Sequence, residues 1–184
     1  DGRKNVVFLF ERPDKLAEQN EMDQAAFDER LDRVNAALMA VRDTREQPRL
    51  DDKVLVSWNG LMIAGMADAG RVLDDETYVD AARRAADWIL DTMKRRDGGL
   101  QRTYRDGRAK IDGFLEDYAY FVRGLLALHR ADPSPRWIRE AEDLMAAART
   151  RFHDPLLGGY FDTLDGQSDL FVRTRSIYDG AVPS

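Results

Sequence analysis

Between residues 23 and 152 the apolar positions recur with helical spacing, and the width of the apolar face changes from one segment to the next. From Asp23, a residue suited to an N-cap, Phe27, Leu31, Val34, Leu38 and Val41 mark one face of a helix whose other face is charged. That helix should stop before Pro48, because a residue preceding proline avoids helical geometry. Ahead of it, Pro13 fits a helix first turn and predicts a short helix to about Gln19. The apolar, β-branched run Asn5 to Phe10 reads as a strand or as a segment packed under a helix.

From Gly60 to about Leu73 only Asp68 and Arg71 are polar, which predicts a helix buried on all sides. From Glu76 to about Arg96 one stripe of Tyr78, Ala82, Ala85, Ile89 and Met93 predicts a helix with its other face in water. The order then returns. Asp117 to about Arg130 is apolar nearly all round, and Pro135 to Phe152 turns Trp137, Ile138, Ala141, Leu144, Met145, Ala148 and Phe152 to one side. Each one-sided helix is followed by a Gly-Gly pair and a short extended stretch with an Asp-Gly turn, at Asp106-Gly107 and at Asp165-Gly166. The Gly-Gly pairs lie 60 residues apart, whereas the Asp-Gly pairs, and Tyr78 and Trp137, lie 59 apart. A spacing that constant is an internal repeat.

One helical hairpin cannot bury both faces of its inner helix, but hairpins stacked side by side can. The predicted fold is therefore all-α: an incomplete α/α toroid of helical hairpins with short β-hairpin excursions. Residues 1–50 supply a lead-in strand and helices, and residues 51–184 supply repeats of about 60 residues with the third cut short, as in a fragment of a single domain. An incomplete ring leaves apolar inner faces uncovered, which favours self-association.

Chemistry-bearing residues gather where the buried helices begin: Ser57-Trp58-Asn59-Gly60, Glu116-Asp117-Tyr118 and Tyr178-Asp179-Gly180. Asn59, Asp117 and Asp179 are separated by 58 and 62 residues and so should face one rim, overlain by the hairpin that carries Arg102, Tyr104, Arg105, Asp112 and Phe114. Helix capping accounts for the amide and acids taken singly. It does not account for Trp58, Glu116, Tyr118 and Tyr178 beside them. Aromatics and carboxylates around a concavity suit a polyhydroxylated ligand, ring face against aromatic and hydroxyls against acids. Glycoside hydrolysis needs two carboxyl groups roughly 5 to 10 Å apart, so the candidate catalytic residues are Glu116, Asp117 and Asp179, paired between units. Trp58, Asn59, Tyr118, Tyr178, Asp52 and Lys53 are the candidate substrate-binding residues, with Asp51-Asp52-Lys53 alternatively an ion cluster that pins its loop. His129 and His153 sit at helix C-terminal ends, where a structural role is expected, and do not suit an epimerase that uses paired histidines.

Composition trims the remaining options. A chain of 184 residues, 43% apolar, is an ordinary globular length, and a net charge of -6 without a basic stripe argues against nucleic acid. No apolar run approaches membrane-spanning length and no signal-peptide pattern opens the chain. With no cysteine there is no disulfide framework or thiolate ligand, and two histidines leave little for a metal site; no metal or cofactor is expected, and the composition fits a cytoplasmic protein.

The stretches Asp51-Asp52-Lys53-Val54-Leu55, Ser57 to Ala64, Gly113 to Ala119 and Tyr178 to Ser184 resemble the YyaL family, also called the spermatogenesis-associated protein 20 family. The resemblance implies a middle piece of a six-hairpin α/α toroid similar to glycosidases and to N-acylglucosamine 2-epimerases, partnered in the full-length protein by an N-terminal thioredoxin-like domain. Two functions follow as expectations: a glycosidase-like or sugar-modifying domain that binds or processes a carbohydrate in a rim pocket, or a non-catalytic helical interaction module serving the thioredoxin-like domain.

Overall fold

A computed structural model describes residues 8–167 and 170–176, which fall into two compact units, Asp1–Asp51 and Asp52–Ser184. In the first, α1 (Pro13–Gln19) starts on the proline and buries Leu16 and Ala17. Helix α2 (Gln24–Asp43) is capped by Asp23, whose carboxylate accepts from Ala25 N at 3.0 Å and Ala26 N at 3.3 Å. Its apolar stripe is present but buries no residue: Val34, Leu38 and Val41 are all exposed. Phe8 to Phe10 form no strand, and Asn5 to Val7 lie outside the described residues.

The second unit begins with β1 (Val54–Leu55), which runs directly into α3 (Val56–Leu73). Then come α4 (Glu76–Thr92), β2 (Gln101–Arg105), β3 (Arg108–Asp112), α5 (Leu115–Ala131) and α6 (Pro135–Phe152). Helices α3 and α5 form the inner layer. Their contacts advance together along both chains: Ser57 N meets the Asp117 carboxylate, Gly60 meets Tyr120 and Phe121, Ile63 meets Gly124, and Asp68 meets Arg130, so the two run parallel. The outer helices α4 and α6 are parallel too, clipped by Asp87 to Arg136 at 2.7 Å and Lys94 to Glu140 at 2.6 Å. Between the layers lies one core, with Val56, Ile63 and Ala67 from α3, Val79, Ala82, Ile89 and Met93 from α4 and its cap, Phe121, Leu125 and Leu128 from α5, and Trp137, Leu144 and Phe152 from α6.

The inner helices approach so closely because they meet through glycine. A Cβ on Gly60 would stand 2.5 Å from the Tyr120 carbonyl carbon, and one on Gly124 would stand 2.8 Å from the Gly60 oxygen. At their far ends each inner helix turns sharply into its outer partner. Asp74 takes a left-handed conformation (φ 54°) after α3, and Asp75 caps α4 by accepting from Thr77 N at 2.9 Å. Ser134 caps α6 behind Pro135.

The first β-hairpin forms as expected on Asp106-Gly107, both at positive φ (52° and 75°), with Gln101 opposite Asp112 and Arg105 opposite Arg108. β1 pairs antiparallel with β2, placing Val54 opposite Tyr104. The second excursion makes only a single bridge, His153 to Tyr160, among the described residues.

Four expectations need correction. α3 starts at Val56 rather than Gly60, because β1 delivers the chain straight into helical geometry with Leu55 as cap. α5 starts at Leu115, so Asp117 is its third residue and not its cap. α3 is not buried all round: Trp58 is 61% and Met62 58% exposed, and Val72 and Leu73 are also open. On the outer helices, Val79 and Leu90 take inward places where the stripe had included Tyr78, and Met145 is exposed.

Candidate functional site

The two inner helices begin side by side, and one side chain joins their starts. Asp117 is fully buried. Its Oδ1 accepts from Ser57 N, in the first turn of α3, at 3.0 Å. Its Oδ2 accepts from Phe114 N, immediately before its own helix, at 2.9 Å. Two helix N-termini are thus closed by a single carboxylate, whose negative charge also suits the positive ends of both helix dipoles. Burial pushes the Asp117 carboxyl above the usual carboxylate range, opposed by the Phe114 and Ser57 N–H groups and by Arg102.

Arg102 supplies the counter-charge. It projects from β2 on the strand face shared with Leu100 and Tyr104, and its Nη1 reaches Asp117 Oδ2 at 2.9 Å and Glu116 Oε1 at 2.7 Å. Its guanidinium lies 4.4 Å from the centre of the Phe114 ring. The hairpin is thereby fastened across the starts of α3 and α5. Glu116 differs from its neighbour: about a third of its side chain (34%) remains in solvent, whereas that of Asp117 is wholly buried.

The other predicted site residues divide. Trp58, next to Ser57, is exposed in the first turn of α3 and shares the rim with Glu116. Asn59 is not a cap: its Nδ2 donates back to Leu55 O at 2.8 Å, one turn earlier. Tyr118 is a core residue, with its hydroxyl accepting from Leu100 N at 2.8 Å and its ring edge-on to Phe152 at 5.3 Å. Asp52 pairs with Arg105 at 2.8 Å on the surface of the hairpin, and Lys53 is exposed beside it. Tyr178 and Asp179 lie outside the described residues. His129 Nδ1 is 3.0 Å from Ser134 O, and the His153 ring meets Tyr160 edge-on.

Alignment by helix position shifts the repeat by one residue, so that Trp58 matches Asp117 and Asn59 matches Tyr118. Arg102 was placed over the rim by the sequence but not counted in the site. The signal was there: an arginine on the inward face of a strand, opposite an acidic doublet, needs a carboxylate partner. Among the described residues no group of three or more histidine, aspartate or glutamate side chains is placed to hold a metal ion, and no helix is long and apolar enough to cross a membrane.

Parallel inner helices backed by parallel outer helices, with β-hairpins over the inner N-termini, define an α/α toroid. The solved structures agree. The fold is similar to a GH76 alpha-mannanase of Bacteroides thetaiotaomicron (TM-score 0.57, 16% identity, 64% of this chain and 34% of that one). It is also similar to the cellobiose 2-epimerase of Spirochaeta thermophila (TM-score 0.55, 17% identity, 60% of this chain and 28% of that one). No family model matches the chain. Among curated proteins it is 38% identical over 157 residues to spermatogenesis-associated protein 20 of Rattus norvegicus and 36% identical to that of Homo sapiens, each match covering 80% of this chain. An uncharacterised protein of Caenorhabditis elegans is 27% identical over 98% of the chain. Over the matched residues the chain is similar to a segment of spermatogenesis-associated protein 20. It spans about a fifth of the length of the mammalian relatives and about a quarter (26%) of the nematode one.

Proposed function

We propose that this unit binds a carbohydrate at the rim where α3 and α5 begin, with Glu116 accepting hydrogen bonds from sugar hydroxyls and Trp58 offering its ring face. The observation that carries the reading is the division of labour within the acidic doublet. Asp117 is buried and bonded to two backbone N–H groups at the helix starts, whereas Glu116, held by the same arginine, keeps about a third (34%) of its side chain in solvent. A carboxylate held by an arginine and an exposed indole, in the first turns of two adjacent helices, are the equipment for a polyhydroxylated ligand. The structural neighbours, a mannanase and an epimerase by name, are 16% and 17% identical to this chain and bear on fold alone. In this reading Asp117 and Tyr118 build the site rather than touch the ligand, and turnover would require a second carboxylate, for which Asp179 is the proposed source. The proposed setting is cytoplasmic.

The test is a panel of neutral mono- and oligosaccharides followed by saturation-transfer NMR. Binding by at least one sugar, lost in Glu116→Gln and in Trp58→Ala while both variants stay folded, is the expected result. A panel with no binder would remove the reading and favour a non-catalytic helical module that serves a thioredoxin-like domain. That alternative draws on the same observation, since Asp117 and Tyr118 are already spent on internal bonds.

A further inference from the structure

The polar bonds of Arg102 to the rest of the fold pass through a single nitrogen. Nη1 meets Asp117 Oδ2 at 2.9 Å and Glu116 Oε1 at 2.7 Å, whereas Nε and Nη2, which share one edge of the guanidinium plane, make no hydrogen bond among the described residues. Neither atom is among the side-chain nitrogens and oxygens buried without a hydrogen bond, so both reach solvent through the fifth (20%) of the side chain that stays exposed. Two carboxyl groups and the Phe114 ring, 4.4 Å away, hold the guanidinium in place. One edge of the fork is therefore fixed and the other is unused. The hairpin also departs from regular geometry at this point. Its register sets Ile111 opposite Arg102, and Ile111 takes a left-handed conformation (φ 63°), a costly setting for a β-branched residue and one that gathers where a structure serves a ligand.

We propose that Arg102 touches the ligand, and that with Glu116 it reads a pair of vicinal hydroxyls. The Nε and Nη2 edge donates to the oxygen of one hydroxyl, and Glu116 accepts from its neighbour. This rests on the carbohydrate reading of the rim and narrows the ligand to a neutral sugar with two adjacent free hydroxyls. An ion pair lays a donor and an acceptor side by side, and vicinal hydroxyls, each able to accept and to donate, lie side by side in the same way. Charge argues against an acidic sugar: one guanidinium already faces the two carboxyl groups of Glu116 and Asp117, so a further carboxylate meets repulsion where a diol meets none.

The variant that tests this in the intact chain is Arg102→Lys, which keeps a cation against Glu116 and Asp117 but has no fork. The probes are the methyl α-pyranosides of mannose, glucose and galactose, which present vicinal hydroxyls in cis and trans arrangements, each titrated by saturation-transfer NMR beside its monodeoxy forms. At least one glycoside should bind, and loss of either of two adjacent hydroxyls should weaken it about tenfold or more. Arg102→Lys should weaken the parent glycoside by a similar factor yet leave the affinity for one of those two deoxy forms unchanged, since the contact is already missing there. A merely structural role would weaken every form alike. The proposal is overturned if Arg102→Lys binds the parent as tightly as the unchanged chain, if it weakens all forms equally, or if the sensitive hydroxyls are not neighbours, a point the unchanged chain decides even where the variant does not fold. It is overturned too if none of the three glycosides binds while another neutral sugar does. In each of these outcomes the sugar site stands without Arg102; if no sugar binds at all, the carbohydrate reading falls and takes this inference with it.

Discussion

Asp117 spends both of its oxygens on the fold: one serves Ser57 N, and the other serves Phe114 N and Arg102. Asp117→Asn keeps the shape but turns an NH2 toward one of those donors and leaves Arg102 short of a partner, which should cost about 2–4 kcal/mol, read from the urea midpoint. Asp97 shows the opposite electrostatic setting. The Arg95 side chain, then Gly99 N–H, holds its pKa down from 3.8 to about 2. A carboxyl depressed on folding stabilises the fold above its unfolded value and loses that contribution as pH falls through the folded one. The urea midpoint should thus drop between about pH 5 and about pH 2, and part of the drop should vanish in Asp97→Asn. Asp117 is shifted in the other direction: burial raises its pKa, against the Phe114 and Ser57 N–H groups and Arg102, which favour the ionised form.

At the scale of elements, two glycines on one helix should respond with opposite sign. Gly60→Ala drives a methyl into the backbone of α5 and should destabilise by about 2 kcal/mol, with the helices forced apart. Gly65→Ala meets open space and should stabilise the free chain by up to about 1 kcal/mol through helix propensity. Parallel thermal melts of the two variants check both. Elements were also what the sequence showed best. Wide and narrow apolar stripes distinguish inner from outer helices, and Asp106-Gly107 marks its turn unaided. Starts were harder. Val54-Leu55-Val56 reads equally as strand or helix, and only pairing with β2 shows where one stops and the other begins. The candidate site suffered from the same limit. Asn59 and Asp117 have the composition of caps, but one bonds back to Leu55 and the other reaches across to a different helix, a distinction that depends on a partner 60 residues away.

For the molecule as a whole, the division at Asp51 and Asp52 has a direct consequence. The stretch from Thr44 to Lys53 is exposed and without regular structure. Limited trypsin treatment should cut first at Arg45 or Arg49 and leave a resistant product that starts near Asp52, identified by mass. Within the resistant part, the two oxygens of the Asp117 carboxylate join chain segments far apart in sequence. In exchange kinetics that link becomes a clock. The amide hydrogens of Ser57 and Phe114 should trade with deuterium at a common rate, because neither can open without the carboxylate that holds the other.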